Sequence, residues 1–400
     1  MFRRALAVLV AVIGLAGTRT ALLGSASGGS LHQATATVTV TNPLDLARAS
    51  ETITLGAADL ARLLKADDLR RVHVRDPATG RDVLVQAVDV NDDGKFEELI
   101  FQTDIGPRAR KQFSLAVGER QVLRRDDFKA YGRFVRERRD DFAWENDRIA
   151  HRMYGAALET WAQEPLTSSA VDVWTKRVAR SVINDWYLLD NYHQDNGDGG
   201  DFYSAGKSRG CGGNAVWTGN TLYPSANFRD SRVLANGPIR VMFELVYQPW
   251  NAGGVKVSET KRITLDAGAN LDTFESRYTV EGDGSQLAHA AGIKKNAGGV
   301  SASIGDRGIL RTWEPMKNAP GNLGCAVVVD PADVLSFTES DGNYLVVTRL
   351  PASRTVRYHA GFEWDVTGQV PGGMAGWDTY LAEFASRLRA PLKVELRPGT

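Results

Sequence analysis

The chain has 400 residues, enough for two or three domains and for a large hydrophobic core that needs no disulfide framework or metal. Lys and Arg together number 48, as do Asp and Glu, and this neutrality argues against a protein that covers much nucleic-acid phosphate. The sequence contains two cysteines, Cys211 and Cys325, which excludes a multi-cysteine zinc or iron–sulfur site.

Residues 1–26 have the pattern of a secretory signal peptide. Arg3 and Arg4 precede an apolar run over residues 5–17, and the small residues 24–26 suit cleavage by signal peptidase. No later stretch approaches the roughly 18 apolar residues that a membrane-spanning helix needs. We therefore predict a mature protein that begins near Ser27, is periplasmic or secreted, and has no transmembrane anchor. In that oxidising setting, pairing of the two cysteines is an open alternative.

Residues 34–125 differ in composition from the rest of the chain. They contain no Trp or Tyr, whereas all nine Trp and all eleven Tyr lie after Phe128. Short alternating runs predict β-strands, and residues 57–64 have the pattern of a helix. The strands are expected near residues 37–40, 72–74, 83–85, 99–101 and 113–115. This region is predicted to be a small N-terminal β-sandwich.

Residues 128–400 are also predicted to be mostly β-strand. Apolar and polar residues alternate over 240–247 and 259–265, which is typical of strands with one buried face. One helix is predicted near the C-terminus, where Trp377, Leu381 and Leu388 fall at helical spacing. About 270 residues of antiparallel strands favour two large sheets packed face to face. The predicted fold is therefore all-β, with the small sandwich followed by a large antiparallel supersandwich.

The run D-V-N-D-D-G at residues 89–94 resembles the start of a calcium-binding loop. Asp89, Asn91 and Asp93 place oxygen ligands at alternate positions, and Gly94 allows a sharp turn. An EF-hand is excluded because its twelfth position needs a bidentate Glu and is Ile100 here. A calcium-stabilised β-turn and a solvated acidic turn both remain open. No other cofactor is predicted.

Residues 140–155 carry an unusual number of polar functional groups for a strand. In extended geometry they would place Trp144, Asn146, Arg148, Arg152 and Tyr154 on one face. Such a face suits a binding site, and the alternative is a structural network of ion pairs. Both interpretations predict that these side chains have specific partners.

A second polar region follows between residues 172 and 203. Asp172, Trp174 and Lys176 share one face of a predicted strand. A long glycine-rich loop comes next, and its composition is typical of a site rather than a linker. Its candidate functional residues are Tyr192, His193, Asp201 and Tyr203. A structural role for His193 is the competing interpretation.

The residue types of these two regions suggest a class of ligand. Aromatic rings stack on sugar faces, Arg and Lys bind carboxylates, and Asn and Asp bind hydroxyl groups. An acidic, uronate-containing oligosaccharide or polysaccharide uses all of these interactions. A nucleotide site is disfavoured because the glycine-rich run at 206–213 lacks the order of a phosphate loop. The run G-K-S-R-G at 206–210 matches G-x-S-x-G in its letters but lacks the strand–turn–helix context of an esterase elbow, and no H-E-x-x-H pair is present.

Several runs resemble the bacterial domain-of-unknown-function family numbered 4861. They are D-x-N-D-D-G at 89–94, E-L-I-F at 98–101, W-E-N-D-R at 144–148, D-V-W-T-K at 172–176, D-F-Y at 201–203, G-C-G-G at 210–213, N-G-P-I-R at 236–240 and E-T-K at 259–261. The resemblance covers nearly all of the predicted mature chain. It implies a galactose-mutarotase-like sandwich and an association with polysaccharide utilisation and degradation, including pectin-type systems, and it brings no catalytic residues with it.

Three reaction types fit such a groove. A lyase would use His193 or Tyr192 as base, with Lys176 or Arg148 offsetting the charge of the enolate. A hydrolase would use two carboxylates, for example Asp147 and Glu259, roughly 5–10 Å apart. A mutarotase or epimerase would use a histidine and a carboxylate, and a non-catalytic carbohydrate-binding protein would need only the groove. The predicted binding residues are Trp144, Asn146, Arg148, Arg152, Tyr154, Asp172, Trp174, Asp201, Tyr203 and Lys261.

Overall fold

The computed structural model of the chain describes residues 36–399, and the predicted signal peptide lies outside this range. In the described range, no helix is long and apolar enough to cross a membrane. Antiparallel strands dominate, as predicted. The first seven strands are β1 (Ala36–Thr41), β2 (Arg48–Gly56), β3 (Val72–Asp76), β4 (Arg81–Val83), β5 (Val85–Val88), β6 (Glu98–Ile105) and β7 (Arg110–Val117).

The N-terminal strands form two sheets around their own hydrophobic core. Strands β2, β6 and β5 make one sheet, and β1, β7, β3 and β4 belong to the other. Helix α1 (Ala57–Leu64) is the predicted helix, and it buries Leu60 and Leu64 against the strands. It ends at Lys65, whose positive φ of 53° breaks the helical path.

The next strands form a separate five-stranded sheet in the order β12-β11-β10-β9-β8. They are β8 (Ala130–Val135), β9 (Asp141–Asn146), β10 (Ala150–Met153), β11 (Asp172–Lys176) and β12 (Gly199–Gly200), with α2 (Ile183–Leu189) between the last two. The prediction of one extended face across residues 144–154 is wrong. Strands β9 and β10 are antiparallel partners, because Asn146 accepts the backbone N–H groups of Arg148 and Ile149 and closes a tight turn.

The remaining strands build the large sandwich. They are β13 (Cys211–Thr218), β14 (Thr221–Tyr223), β15 (Asp230–Asn236), β16 (Arg240–Ala252), β17 (Val255–Asp266), β18 (Leu271–Glu281), β19 (Ala288–Lys294), β20 (Val300–Ile304), β21 (Ile309–Pro315), β22 (Asn322–Val328), β23 (Val334–Ser340), β24 (Asn343–Arg349) and β25 (Thr355–Trp364). An eight-stranded sheet has the order β15-β16-β17-β18-β25-β22-β21-β20, and a five-stranded sheet has the order β14-β13-β19-β24-β23. The predicted all-β fold is confirmed.

Helix α3 (Gly373–Arg389) covers part of the outer face of the eight-stranded sheet. Its buried residues Trp377, Leu381 and Ala385 pack on Ile309 and Val328, which confirms the predicted C-terminal helix. The last strand, β26 (Lys393–Pro398), then pairs with β1 and completes the N-terminal sheet that also contains β7, β3 and β4. The C-terminal residues thus join the N-terminal region, and the described residues lie within one compact unit. The predicted boundary between residues 125 and 128 stays a prediction.

Candidate functional site

Seven of the predicted site residues meet in the five-stranded sheet that contains β9 to β12. We call them the Arg152 cluster: Arg152, Tyr154, Asp172, Trp174, Tyr192, His193 and Asp201. The guanidinium of Arg152 is the centre, because its Nε donates to Asp172 and its Nη2 donates to Asp201, both at 2.8 Å. The Tyr154 hydroxyl donates to the same carboxylate of Asp172 at 2.9 Å.

The pairing of the strands explains why these charges meet. Arg152 on β10 lies directly opposite Asp172 on β11. Asp201 follows β12, which pairs with the end of β11. This close approach requires glycine at position 199, where φ is +113° and a Cβ atom would lie 2.0 Å from the Thr175 carbonyl oxygen. The glycine-rich loop therefore allows an acid to reach the cluster.

Apart from His193, the residues of the Arg152 cluster are buried, and aromatic rings surround the guanidinium group. The guanidinium carbon of Arg152 lies 5.4 Å from the ring centre of Trp174 and 5.6 Å from that of Tyr192, within the range of cation–π contacts. Burial by itself would lower the pKa of Arg152, but the carboxylates of Asp201 and Asp172 outweigh it and raise that pKa well above its usual value. Arg152 is therefore a permanent positive charge.

His193 is the solvent-facing end of the cluster. Its side chain is 63 % exposed, whereas that of Asp201 is 3 % exposed. The Nδ1 atom of His193 lies 3.4 Å from the backbone carbonyl oxygen of Asp201 and 3.5 Å from its Oδ2 atom. The ring centre of His193 lies 4.6 Å from that of Tyr192. Burial raises the pKa of Asp201 well above its usual value, and Arg152 acts against this shift. The arrangement places an exposed imidazole in front of a buried carboxyl group.

Sequence reasoning missed Asp141, Arg138 and Tyr187, which complete the cluster. Asp141 is fully buried, and burial raises the pKa of its carboxyl group to about 7. Across residues 36–399, neither oxygen of Asp141 has a hydrogen-bond partner, and Nη1 of Arg152 is 3.6 Å from Oδ2. The Tyr187 hydroxyl influences this carboxyl group but is itself without a well-formed hydrogen bond in the same range. The only signal in the sequence is an acid at the start of a hydrophobic strand.

Arg138 connects this interior to the surface. Its Nε donates to the Tyr192 hydroxyl at 2.7 Å, and its Nη2 donates to Glu164 at 3.0 Å. Its remaining Nη1 is buried and has no hydrogen-bond partner in the described part of the chain. Unpaired buried polar atoms are rare in proteins, so Arg138 and Asp141 have hydrogen-bonding capacity that the described residues do not use.

The structure gives Lys176 a different environment from the predicted one. The Lys176 ammonium donates to Glu145 at 2.7 Å and to the carbonyl oxygens of Asn146 and Arg180 at 2.8 Å. These three acceptors use all of its donors. Glu145 also accepts the backbone N–H groups of Val182 and Ile183, at the start of α2. Lys176 thus holds α2 on the sheet and has no proton donor left for a substrate.

The residues of the turn between β9 and β10 anchor it to residues 266–270. Trp144 donates from Nε1 to Asp272 at 2.7 Å, and Asn146 donates to the carbonyl oxygens of Asp266 and Ala269. Asp147 accepts the N–H of Gly268 at 2.7 Å, and Arg148 donates to Asn270. Trp144 and Asn146 are buried, whereas Asp147 and Arg148 are half-buried.

Glu259 and Lys261 lie inside the large sandwich, because alternate residues of β17 face its core. Burial lowers the pKa of Lys261 to about 8. Its Nζ is 3.8 Å from Glu259, which also accepts a hydrogen bond from Asn214 at 2.9 Å. Asp266 lies seven positions after Glu259 on β17, a distance of roughly 23 Å along a strand. Asp147 lies past the Asp266 end of β17, because its carboxylate accepts the N–H of Gly268. Asp147 and Glu259 are therefore too far apart to act as the predicted pair of hydrolase carboxylates.

Tyr203 and the two cysteines also lie in the sandwich core. Burial raises the pKa of Tyr203 well above its usual value, and the neighbouring thiols of Cys325 and Cys211 raise it further. The three side chains belong to the same hydrophobic cluster. Both cysteines are free thiols in this structure. The Tyr203 hydroxyl has no hydrogen-bond partner within residues 36–399. The disulfide between Cys211 and Cys325 that the sequence left as an open alternative is not formed in this structure.

The predicted calcium turn lies in the N-terminal region, between β5 and β6. Carboxylate oxygens of Asp89, Asp93 and Glu97 lie within 4.8 Å of one another. The Asp89 carboxylate also accepts four backbone N–H groups, from residues 91 to 94, which fix the turn. Asn91 accepts the N–H of Asp93 and donates to Glu97. These oxygen donors suit a hard cation such as calcium. Calcium binding at this turn stays a prediction.

The fold defines this chain as an all-β protein with a large antiparallel sandwich. It belongs to the family described as "Domain of unknown function (DUF4861)", which matches residues 40–394. It is also 34 % identical over 376 residues to "Uncharacterized protein P7" of Formosa agariphila, covering 90 % of this chain and 93 % of that protein. The predicted family is therefore confirmed.

Two solved structures from Enterococcus faecalis have a similar fold. One is an alpha-mannosidase, with a TM-score of 0.50, and the other is a protein in glycosyl hydrolase family 38, with a TM-score of 0.53. Each is 11 % identical and covers 91 % of this chain. The chain spans slightly less than half of their length, 46 % and 47 % respectively. At this identity the likeness concerns the fold alone.

Proposed function

We propose that this protein is an enzyme acting on acidic, uronate-containing saccharides at the exposed edge of the Arg152 cluster. The observation that carries the proposal is the pair formed by His193 and Asp201. An exposed imidazole backed by a buried, anchored carboxyl group is a common arrangement for proton transfer. The names of the two fold relatives, an alpha-mannosidase and a family 38 glycosyl hydrolase, support the carbohydrate class.

The orientation of His193 suggests which atom acts. Its Nδ1 faces Asp201, so Nε2 is the atom directed to a substrate at the surface. Histidine suits this role because it can accept and donate a proton near neutral pH without a large perturbation. The neighbouring ring of Tyr192 limits the freedom of the imidazole and contributes an aromatic surface beside it.

Elimination fits this edge better than hydrolysis. In a lyase, His193 would remove the proton next to the uronate carboxyl group, and a cation would offset the charge of the enolate. The bond between the β-carbon and the glycosidic oxygen would then break, and that oxygen would leave with the proton returned by the His193 imidazolium. Since the Lys176 ammonium is fully engaged, Arg177 is the more available candidate. It is 28 % exposed and reaches the same loop through an ion pair with Asp195. Hydrolysis needs two carboxylates at a defined separation, and the predicted pair of Asp147 and Glu259 is not formed.

The test is a screen of the purified protein on pectic and algal polysaccharides. A lyase produces unsaturated uronates, which are followed by their ultraviolet absorbance. A hydrolase releases reducing ends without that absorbance, and a mutarotase changes the anomer ratio without releasing new ends. Binding in a glycan array with none of these activities would leave a carbohydrate-binding protein and contradict the enzymatic proposal.

We also propose that the protein is exported. The signal-peptide pattern of residues 1–26 is the support for this part. Sequencing the N-terminus of protein recovered from the cell envelope or medium should give a start near Ser27. An intact Met1 on that protein would contradict the prediction.

A further inference from the structure

A cleft of about 490 Å³ opens on the outer face of the eight-stranded sheet, beside the C-terminal end of α3. We call it the arginine cleft, because Arg307, Arg349, Arg357 and Arg389 line it. Its volume falls within the range of small-ligand pockets, roughly 300–1,000 Å³. It is a separate place from the Arg152 cluster and is absent from the site predicted from the sequence.

The alternation of β25 separates the two places. Phe362 faces the main core and makes an edge-to-face contact with His151 of the sheet that carries the Arg152 cluster. His359 points to the other face, where it lines the arginine cleft and contacts Phe384 of α3. Since successive side chains of a strand point to opposite faces, a ligand in the arginine cleft cannot reach His193.

The lining of the arginine cleft is strongly positive. The four arginines come from four different parts of the chain, and they converge with two carboxylates in the lining, Asp330 and Asp333. Four guanidinium groups against two carboxylates leave an excess of positive charge. Guanidinium groups bind carboxylate and sulfate through paired N–H donors, so the cleft suits an anionic ligand.

Most of these guanidinium donors remain available. Arg307 is exposed and has no hydrogen-bond or ion-pair partner among the described residues. Arg389 makes one long contact of 3.5 Å with the Asp306 carbonyl oxygen. Arg349 is 3.7 Å from Asp333, and Arg357 donates to Glu275 at 2.9 Å. Arg307 and Arg389 are therefore the two arginines that an anion can engage without breaking an ion pair with a carboxylate.

The floor of the cleft is uncharged. Burial lowers the pKa of His359 to about 4, so its ring is neutral at neutral pH, and Oγ1 of Thr273 lies 3.1 Å from its Nδ1. Val328, Val356 and Leu388 add apolar surface. A ligand with anionic groups at its edge and a C–H face below them matches this combination.

A neighbouring groove shows on which side the anion should lie. Arg307 and Arg389 also border this groove, which carries Asp45, Asp378 and Glu383. Those acids repel an anion. An anion bound by Arg307 and Arg389 is therefore favoured on the side of the arginine cleft over the side of the groove.

We propose that the arginine cleft binds an acidic oligosaccharide, with Arg307 and Arg389 on its carboxylate or sulfate groups and the sugar rings on the apolar floor. The anionic character follows from the cleft alone, whereas the choice of a saccharide rests on the proposed function. The cleft would hold a second stretch of an acidic polymer, away from the position of reaction.

The test measures the dissociation constant of a galacturonic acid trisaccharide by calorimetry, with a sulfated galactose trisaccharide as a second probe. The double variant Arg307→Gln/Arg389→Gln should bind at least roughly tenfold more weakly, the scale for losing hydrogen bonds to charged groups. His193→Ala should keep the wild-type affinity at this cleft. The exposed Arg62→Gln, in helix α1, is the matched control for loss of surface charge.

Each outcome decides the proposal. Unchanged affinity in the double variant, or no binding of either acidic trisaccharide by the wild type, would overturn it. Competition by inorganic sulfate at equal concentration, or equal affinity for a neutral galactose trisaccharide, would overturn the saccharide assignment. Failure of the proposed function is a different result, because the protein would then bind through the arginine cleft but show no His193-dependent turnover.

Discussion

His193 and Asp201 form a pair in which the imidazole is exposed and the carboxyl group is buried, with 3.5 Å between Nδ1 and Oδ2. Nη2 of Arg152 donates to the same Oδ2 atom of Asp201 at 2.8 Å. The position of the imidazole therefore depends on a charge network inside the sheet. A residue at the surface can have a defined orientation only when such a network stands behind it.

The first prediction concerns turnover. His193→Ala should lower kcat on an identified uronate substrate by roughly 10²-fold or more, the usual scale for loss of a general acid–base group. The KM should change little, because the walls of the site remain. Gln194→Ala, at the neighbouring exposed position, is the control and should keep wild-type activity. Full activity of His193→Ala would show that another group transfers the proton.

A second prediction concerns the stability of the Arg152 cluster. Tyr154→Phe removes the hydroxyl that donates to Asp172 and leaves a buried carboxylate with one donor fewer. The free energy of unfolding should fall by about 1.5–3 kcal/mol, the range for hydrogen bonds to charged groups. Urea denaturation measures it. Tyr131→Phe is the control, since that hydroxyl makes only a 3.5 Å contact with Asn184 near the surface.

The fold could be predicted from the sequence because its signals are local. Helix α1 was expected at residues 57–64 and occupies those residues, and the C-terminal helix lies within α3. Helix α2 was missed because it has seven residues and begins where the distant Glu145 accepts its first N–H groups. Its stability comes from tertiary contacts, which no local pattern reports.

The candidate site was predicted only in part, for a similar reason. Arg152, Asp172 and Asp201 were selected as polar residues in unusual positions, and the strand pairing brings them together. The same reasoning also selected Lys176, which is buried because Glu145 on another strand neutralises it. The identity of a charged residue does not show which partner it will meet. Burial and pairing across strands decide that question.

The third prediction concerns Asp141 and pH. Burial raises the pKa of this carboxyl group in the folded protein to about 7, above the unfolded value of about 3.8. Between pH 4 and 7 the unfolded chain loses the proton while the folded protein keeps it, so the contribution of Asp141 to stability falls as pH rises. One pKa unit corresponds to about 1.4 kcal/mol.

Asp141→Asn tests this dependence, because the amide keeps the shape and cannot ionise. The stability of the variant relative to the wild type should increase steadily from pH 4 to pH 7, as measured by urea denaturation at each pH. The exposed Asp126→Asn is the control and should run parallel to the wild type. A constant difference between Asp141→Asn and the wild type would contradict the raised pKa.

The last prediction concerns calcium at the turn between β5 and β6. If the carboxylates of Asp89, Asp93 and Glu97 bind the ion together, calcium should raise the melting temperature, because binding to the folded state alone adds stability. Sites in extracellular modules bind calcium with Kd values of about 10⁻⁴–10⁻³ M, so millimolar calcium should be sufficient. Asp93→Ala should abolish the response, and the exposed Asp45→Ala in the same region should retain it.

The calcium turn lies in the N-terminal region, far in the sequence from His193, so EDTA should lower the melting temperature and leave turnover of the folded enzyme unchanged. An identical melting temperature in EDTA and in calcium would show that the Asp89 carboxylate shapes this turn through its backbone hydrogen bonds alone.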